Sequence, residues 1–441
     1  MINTYPQQKK IGSPSIRKAY FAGRTLLPRL GLCALALGFS TTANAQVNPA
    51  YEVATWSKFK TAAITYTFDD NTAKQLPVAL PLFDRYNFKI TLFTVTNWNP
   101  NWAGLRTAST NGHEVTSHTL SHPSLPTLTV AQQVTELQQS QAIIKTNVPT
   151  ARCETIAYPN CNIGDIPSIQ SYYIAGRTCS GQIMTSTPPD FYNLSSIITG
   201  TTGTVQTAAT FNARVESAKA SRGWCVFLTH GIDDDGGYSP TQSTELSAHL
   251  AYMNTNIADY WVGTFSDVAK YIKERNALSL TETTISADLL SLTATDNLAN
   301  NVYDVPVTVR RLLPATWANA AVARAGVTVP STISTVNGVK YIVFDVVPDQ
   351  GEIRLAKATV TSNLGASQAI ATETWPNPFT DRTTVEAKGN FSYSVYSLEG
   401  KLVETGQGTN SVKFGNNLAS GTYVVKISQN GKVVSSKVIK K

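Results

Sequence analysis

The 441-residue sequence predicts an α/β chain: a distorted (β/α) barrel, then an immunoglobulin-like β-sandwich, then a small all-β C-terminal domain. Three observations predict it. Between Ala62 and Leu278, short β-branched and aromatic runs alternate with stretches of helical periodicity, the pattern of a parallel sheet covered by helices. After Leu278 the helical periodicity disappears, and β-runs broken by turn residues continue to residue 370. From residue 371 hairpin-like runs follow, in a segment with nine basic and five acidic residues.

Residues 1–45 read as a secretory signal peptide. They carry six basic residues (Lys9, Lys10, Arg17, Lys18, Arg24 and Arg29) and no acid, an apolar run at 30–37, and Ala43-Asn44-Ala45 as a cleavage signature. The apolar run is too short to span a bilayer, and no later run reaches the ~18 residues a span needs. Cys33 lies inside this run, so a lipid anchor is not expected. Without the segment, 30 basic residues face 29 acidic ones, which excludes an electrostatic footprint for nucleic acid. Export permits disulfides, and Cys153, Cys161, Cys179 and Cys225 leave three complete pairings open.

Residues 46–278 are expected to form the barrel. Its strands are predicted at 62–68, 89–95, 114–117, 154–158, 172–177, 194–198, 224–229 and 260–264. The clearest helix is 130–145, where Val130, Val134, Leu137 and Ile144 fall at helical spacing and Gln141 interrupts the stripe. Further helices are expected at 207–220, at 241–253 and at 266–276, the last with Ser266 as N-cap. In such a barrel, catalytic groups sit at the C-terminal ends of the strands.

Residues 279–370 are expected to form the sandwich, from strands at 289–294, 305–312, 341–347 and 352–358, and they carry no recognisable chemistry. Residues 371–441 hold Pro376-Asn377-Pro378-Phe379, Leu398-Glu399-Gly400-Lys401, Leu418-Ala419-Ser420-Gly421-Thr422-Tyr423 and a basic end, with turns at Glu399-Gly400 and Asn430-Gly431. This ordered set resembles the C-terminal sorting domain of the type IX secretion system of Bacteroidota. The resemblance implies the secretion machinery as a partner and a secreted or cell-surface location. The competing reading is a small β-domain that binds carbohydrate or packs on its neighbour.

Two stretches carry the chemistry. Thr67-Phe68-Asp69-Asp70 closes one β-run, and His118-Thr119-Leu120-Ser121-His122 closes another. Two imidazoles and a carboxylate with an open position form a recurring catalytic metal arrangement, and the second carboxylate would serve as base. His113-Glu114 followed by His118 looks like a metalloprotease motif, but the second histidine comes one residue too late for His-Glu-x-x-His, and Glu114 opens a β-run. His230 ends the run 224–229, a position suited to a general acid. Asp233-Asp234-Asp235 lacks spaced ligands and reads as a solvated loop, and His249, inside a helix, reads as structural.

Taken in order, Thr67-Phe68-Asp69-Asp70, His118 to His122, Tyr158-Pro159 and Leu228-Thr229-His230 resemble the polysaccharide deacetylases (carbohydrate esterase family 4), over roughly residues 60–276. The resemblance implies Asp69 as general base, Asp70, His118 and His122 as ligands of a divalent metal, and His230 as general acid. The metal would be zinc, with cobalt or manganese as replacements. Acetyl groups of a glycan would be hydrolysed, either N-acetyl of chitin-like or O-acetyl of xylan-like polymers, by metal-activated water. Tyr158 and Pro159 would border the substrate, with a backbone N–H near Tyr158 meeting the oxyanion.

The sequence departs from the family in one place. The arginine that orients the base is absent beside Pro159, and Arg152 lies at the wrong end of its strand. Arg177, at a neighbouring strand end, is the expected substitute. The same topology puts Cys161 and Cys179 beyond adjacent strand ends and favours their pairing. Trp98, Trp102 and Tyr238 follow strand ends as candidate sugar-stacking walls. The alternative function is a catalytically inactive carbohydrate-binding or adhesive surface protein.

Overall fold

The computed structural model describes residues 50–358, 373–397, 401–429 and 432–441. The expected signal peptide and the Glu399-Gly400 and Asn430-Gly431 turns lie outside the described residues. No helix among the described residues is long and apolar enough to cross a membrane.

The barrel strands are β2 (Ala62–Asp69), β3 (Thr91–Thr94), β4 (Glu114–Ser117), β5 (Thr155–Ala157), β6 (Ala175–Arg177), β7 (Ile197–Ile198), β8 (Trp224–Thr229) and β9 (Tyr260–Val262), preceded in the chain by β1 (Tyr51–Val53). They form one curled parallel sheet in the order β6-β5-β4-β3-β2-β8-β7, with β9 on the lower part of β2. Leu194 donates to Gly176 O (3.0 Å) and Thr178 to Leu194 O (2.7 Å), so backbone bonds draw the two edges of the curl together. Every residue of β2 is buried, as expected for a central parallel strand covered on both faces.

The helices are α1 (Leu80–Asp84), α2 (Trp102–Thr110), α3 (Val130–Asn147), α4 (Ile166–Gln170), α5 (Ala208–Ser221), α6 (Ser243–Thr255) and α7 (Phe265–Ala277). α3 opens with a capping box between Thr129 and Gln132. Gln141, the polar interruption of its apolar stripe, donates to Cys153 O (2.9 Å) and Tyr172 O (2.7 Å), tying the helix to two loops of the sheet. The N-cap of α7 is Thr264, whose side chain accepts from Asp267 N (3.2 Å). The expected cap, Ser266, sits in the first turn, where its N–H donates to Glu114 (3.0 Å). The π-helical turn Gln75–Ala79, α1 and α2 give no clear signal in sequence, because Pro77, Pro81 and Gly104 interrupt their pattern.

Two antiparallel sheets make the sandwich. One runs β10 (Ser279–Ser286), β11 (Leu289–Thr295), β17 (Ile353–Lys357), β13 (Ala320–Arg324), β14 (Val327–Val329). The other runs β1, β12 (Val307–Leu312), β16 (Val339–Val346), β15 (Ser331–Val336). β1 precedes the barrel in sequence yet pairs with β12 through Tyr51↔Arg311 and Val53↔Val309, so the sandwich draws strands from both sides of the barrel. β1 lies within residues 46–278, the segment that the sequence assigns to the barrel.

The two units share a polar seam and part of a core. Arg152 holds Asp304 through Nη1 (2.8 and 2.7 Å) and donates from Nη2 to Val302 O (3.0 Å), and Tyr271 and Leu278 pack into the sandwich core. Glu274 is fully buried beside this seam, and burial with Asp296 close by pushes its carboxyl up to about 8. Glu274 therefore binds its proton more tightly in the folded chain. The stability it contributes is fully present below the unfolded carboxyl value and is lost as pH rises towards 8. Glu274→Gln is expected to flatten that slope and to be more stable than the native protein at pH 9 by on the order of 2 kcal/mol. Parallel thermal melts from pH 4 to 9 read this directly, and identical pH slopes would refute it.

The C-terminal unit is one antiparallel sheet of β18 (Glu373–Trp375), β19 (Thr383–Ser397), β21 (Gly421–Gln429) and β22 (Lys432–Lys440), with β20 (Leu402–Phe414) paired to β19. Val385, Phe391, Val395, Val425, Ile427 and Val438 form its core.

Candidate active site

The parallel strands deliver the candidate side chains to one end of the sheet. Asp69 ends β2 and Asp70 follows it; His118 follows β4, Arg177 ends β6 and His230 follows β8. Asp70, Thr119 and His122 have φ of 72°, 68° and 64°. A left-handed backbone at three non-glycine residues in one place is strain of the kind that clusters at functional sites.

Asp69 is 2% exposed, and its Oδ2 is paired with Arg177 Nη2. The same guanidinium donates from Nη1 to Ser196 Oγ (2.9 Å) and lies 5.1 Å over the Phe93 ring. Burial alone would raise the Asp69 carboxyl, but the charge of Arg177, with His118 and His230, holds it below the ordinary carboxylate value. Asp69 is thus an ionised carboxylate whose other oxygen, Oδ1, is buried without a hydrogen-bond partner.

Asp70, His118 and His122 bring one ligand atom each within 4.8 Å of one another. Asp70 Oδ1 lies 3.5 Å from His118 Nε2 and 3.6 Å from His122 Nε2 and is buried without a hydrogen-bond partner. His118 Nδ1 donates to Ala157 O (2.9 Å), which leaves the Nε2 lone pair facing Asp70. Burial lowers His118 to about 4 and lowers His122 as well, so both imidazoles are neutral at physiological pH. Burial, then the adjacent Asp69 charge, pushes Asp70 up to about 6, a crowding of negative charge that a cation relieves. Two imidazole nitrogens and one carboxylate oxygen, the latter a buried acceptor without a hydrogen-bond partner, fit a divalent metal.

His230 places Nε2 3.9 Å from Asp70 Oδ2. Its carbonyl accepts from Thr72 Oγ1 (3.0 Å) and from Gln75 Nε2 (3.0 Å), and Gln75 Nε2 also donates to Asp69 O. Gln75 thereby ties the strand end of the two aspartates to that of His230. Neither Gln75, Thr72 nor Ser196 has a sequence signal, since each acts through one or two hydrogen bonds set by the fold.

Other expectations divide. Trp98 is 47% exposed with its ring 4.9 Å from that of His122, and Tyr238 is 54% exposed with its ring 5.0 Å from that of His230, so both flank the cluster. Trp102 instead packs on the barrel core from the first turn of α2. Tyr158 and Pro159 are buried. The Tyr158 hydroxyl donates to Tyr192 O (2.9 Å) and its N–H to Arg177 O (3.1 Å). The β5–β6 ladder thus continues one residue past the strand and takes the Tyr158 N–H.

His113, with Asp84 (2.9 Å), and His249, with Tyr66 (2.6 Å) and Asn212 (2.7 Å), are buried structural residues. In the acidic loop, Asp233 caps Ser243 N (2.8 Å) and Asp234 pairs with Lys74. Cys161 and Cys179 form a disulfide that joins the loops after β5 and β6, two residues beyond Arg177, while Cys153 and Cys225 are buried thiols.

Comparison with known proteins gives two family matches: polysaccharide deacetylase over residues 57–168, and secretion system C-terminal sorting domain over residues 373–441. The first contains Asp69, Asp70, His118 and His122 and ends before Arg177 and His230. A gellan lyase from Bacillus sp is 27% identical over 325 residues, which cover 69% of this chain but 13% of that protein. The chain therefore spans about an eighth of that relative's length. Similar solved structures include a family 4 acetyl xylan esterase from Clostridium thermocellum in complex with a cobalt ion (18% identity, 47% of this chain and 89% of that one, TM-score 0.36). Another is the CE4 domain of a multidomain xylanase from the hindgut metagenome of Trinervitermes trinervoides (17%, 47% and 89%, TM-score 0.35).

Proposed function

From the premise that the chain carries a polysaccharide deacetylase domain and a secretion-system C-terminal sorting domain, we propose that it is a metal-dependent deacetylase of an acetylated glycan. The sorting domain marks it as secreted or cell-surface, with the type IX machinery as its export partner. The observation that carries the catalytic reading is the orphaned Asp70 Oδ1 between two neutral imidazoles, with an ionised Asp69 beside it.

Asp70, His118 and His122 would hold the ion, zinc by preference with cobalt or manganese as replacements. When bound, it supplies Lewis acidity that polarises an acetyl carbonyl and acidifies a water. Asp69 accepts the proton of the attacking water through its free Oδ1, while Arg177 fixes the orientation of the carboxylate. His230, across Asp70 from His118, donates a proton to the departing amine or alcohol. Trp98 and Tyr238 stand over His122 and His230 and offer stacking faces to the sugar rings. Acetate and a deacetylated sugar result.

The leaving group distinguishes two substrate classes, N-acetyl of chitin-like and O-acetyl of xylan-like glycans. Measuring free acetate from chitooligosaccharides and from acetylated xylan, with and without chelator, is expected to show release from one or both that the chelator abolishes. No acetate from either, with glycan bound and no metal taken up, would mark a carbohydrate-binding protein on an inactive barrel.

A further inference from the structure

Beside the metal cluster, on the side of β3 and α2, lies a cavity of about 470 Å³. Two turns divide it from the cluster, and each turn serves both. In the first, Asp70 faces the imidazoles and the next residue, Asn71, lines the cavity. In the second, Trp98 lies against His122 and the next residue, Asn99, lines the cavity. Both asparagines have left-handed backbones, with φ of 55° and 51°, a conformation asparagine tolerates better than most residues. Asn71 is further fixed by donating from Nδ2 to Val95 O (2.8 Å).

The lining mixes amide and hydroxyl groups with aliphatic surface: Asn71, Asn99, Asn101 and Thr94 beside Leu76 and Leu105. Among the described residues no charged side chain lines it, and the ammonium of Lys74, the nearest cation in sequence, is committed to Asp234. The volume falls within the roughly 300–1,000 Å³ of small-molecule sites. Amides and hydroxyls pair with sugar hydroxyls, and aliphatic side chains cover C–H faces. An ionised ligand would find no counter-charge here and would lose its hydration uncompensated.

We propose that this cavity is a subsite for an uncharged pyranose unit of the glycan whose acetyl group reaches the metal cluster, so that the enzyme selects neutral over uronic-acid-bearing chains. The proposal rests on the deacetylase reading for the identity of the chain, but its binding site is tested without catalysis.

Binding of cellotetraose, xylotetraose and tetragalacturonate, none of which carries an acetyl group, to the metal-loaded full chain is measured by calorimetry. At least one neutral tetramer is expected to bind at least about tenfold more tightly than the acidic one. Ala73→Trp, an exposed cavity-lining position with an ordinary backbone, is expected to weaken that binding at least about tenfold. Asn99→Gly keeps the left-handed turn, removes one amide, and is expected to weaken it several-fold. Equal affinity for neutral and acidic tetramers, no binding of either neutral tetramer, or unchanged binding by Ala73→Trp with a native melting curve would each overturn the subsite. A wild-type protein that binds neutral tetramers, loses them with Ala73→Trp and releases no acetate would keep the subsite and overturn the deacetylase reading.

Discussion

Asp69→Asn is expected to lower kcat for acetate release by about a thousandfold while the protein keeps its metal, in line with the roughly 10²–10⁴ contributed by a positioned base. Asp69 is the carboxylate whose environment keeps it charged: Arg177 on Oδ2, and imidazoles 3.5 Å and further away. Its Oδ1 is buried and unpartnered, which is the state of an acceptor held ready for a proton. Asparagine preserves shape but cannot accept that proton. It also leaves the buried Arg177 facing a neutral amide, so a stability loss of about 3 kcal/mol should accompany the rate loss. Metal analysis and a denaturation curve separate the effects. A folded, metal-loaded Asp69→Asn protein with native turnover would remove Asp69 as the base.

The second large effect is expected at Arg177. Arg177→Ala should reduce kcat by about a hundredfold or more, with KM and metal content close to native, because Asp70, His118 and His122 remain intact. Arg177 is 2% exposed, and its guanidinium bridges Asp69 and Ser196 in a fixed fork. Removing it strands a buried carboxylate, which raises the proton affinity of Asp69 and lets the side chain reorient. Arg177→Lys restores charge without the fork and should recover only part of the rate. Near-normal turnover in the alanine variant would show that Asp69 needs no guanidinium.

Much of this arrangement is legible in sequence because the chemistry sits where patterns end. Asp69-Asp70, His118 and His230 each follow a run rich in β-branched or aromatic residues that forms a strand, and the end of a parallel strand is where such a sheet presents its side chains. Arg177 is legible for the same reason, although it stands on a different strand from the one the family resemblance points to. What escapes is what the tertiary fold alone decides. Gln75 and Ser196 are ordinary polar residues until the folded loops bring carbonyls and a guanidinium to them. Tyr158 has the right neighbours in sequence, but its N–H belongs to the ladder with β6. In the sandwich, β13, β14 and β15 alternate only weakly, because their exposed faces carry valine and isoleucine as readily as threonine. The pairing of β1 with β12 joins residues some 260 apart and has no local signature.

Asp70, His118 and His122 are proposed to hold one divalent ion that acetate release requires. Zinc is titrated into chelator-treated full-length protein while acetate release from the better of the two glycans is followed. A negligible starting rate is expected to rise with added zinc and saturate at one ion per chain, with no such rise in His118→Ala. Full activity in the chelated protein, or the same titration curve in His118→Ala, would contradict it.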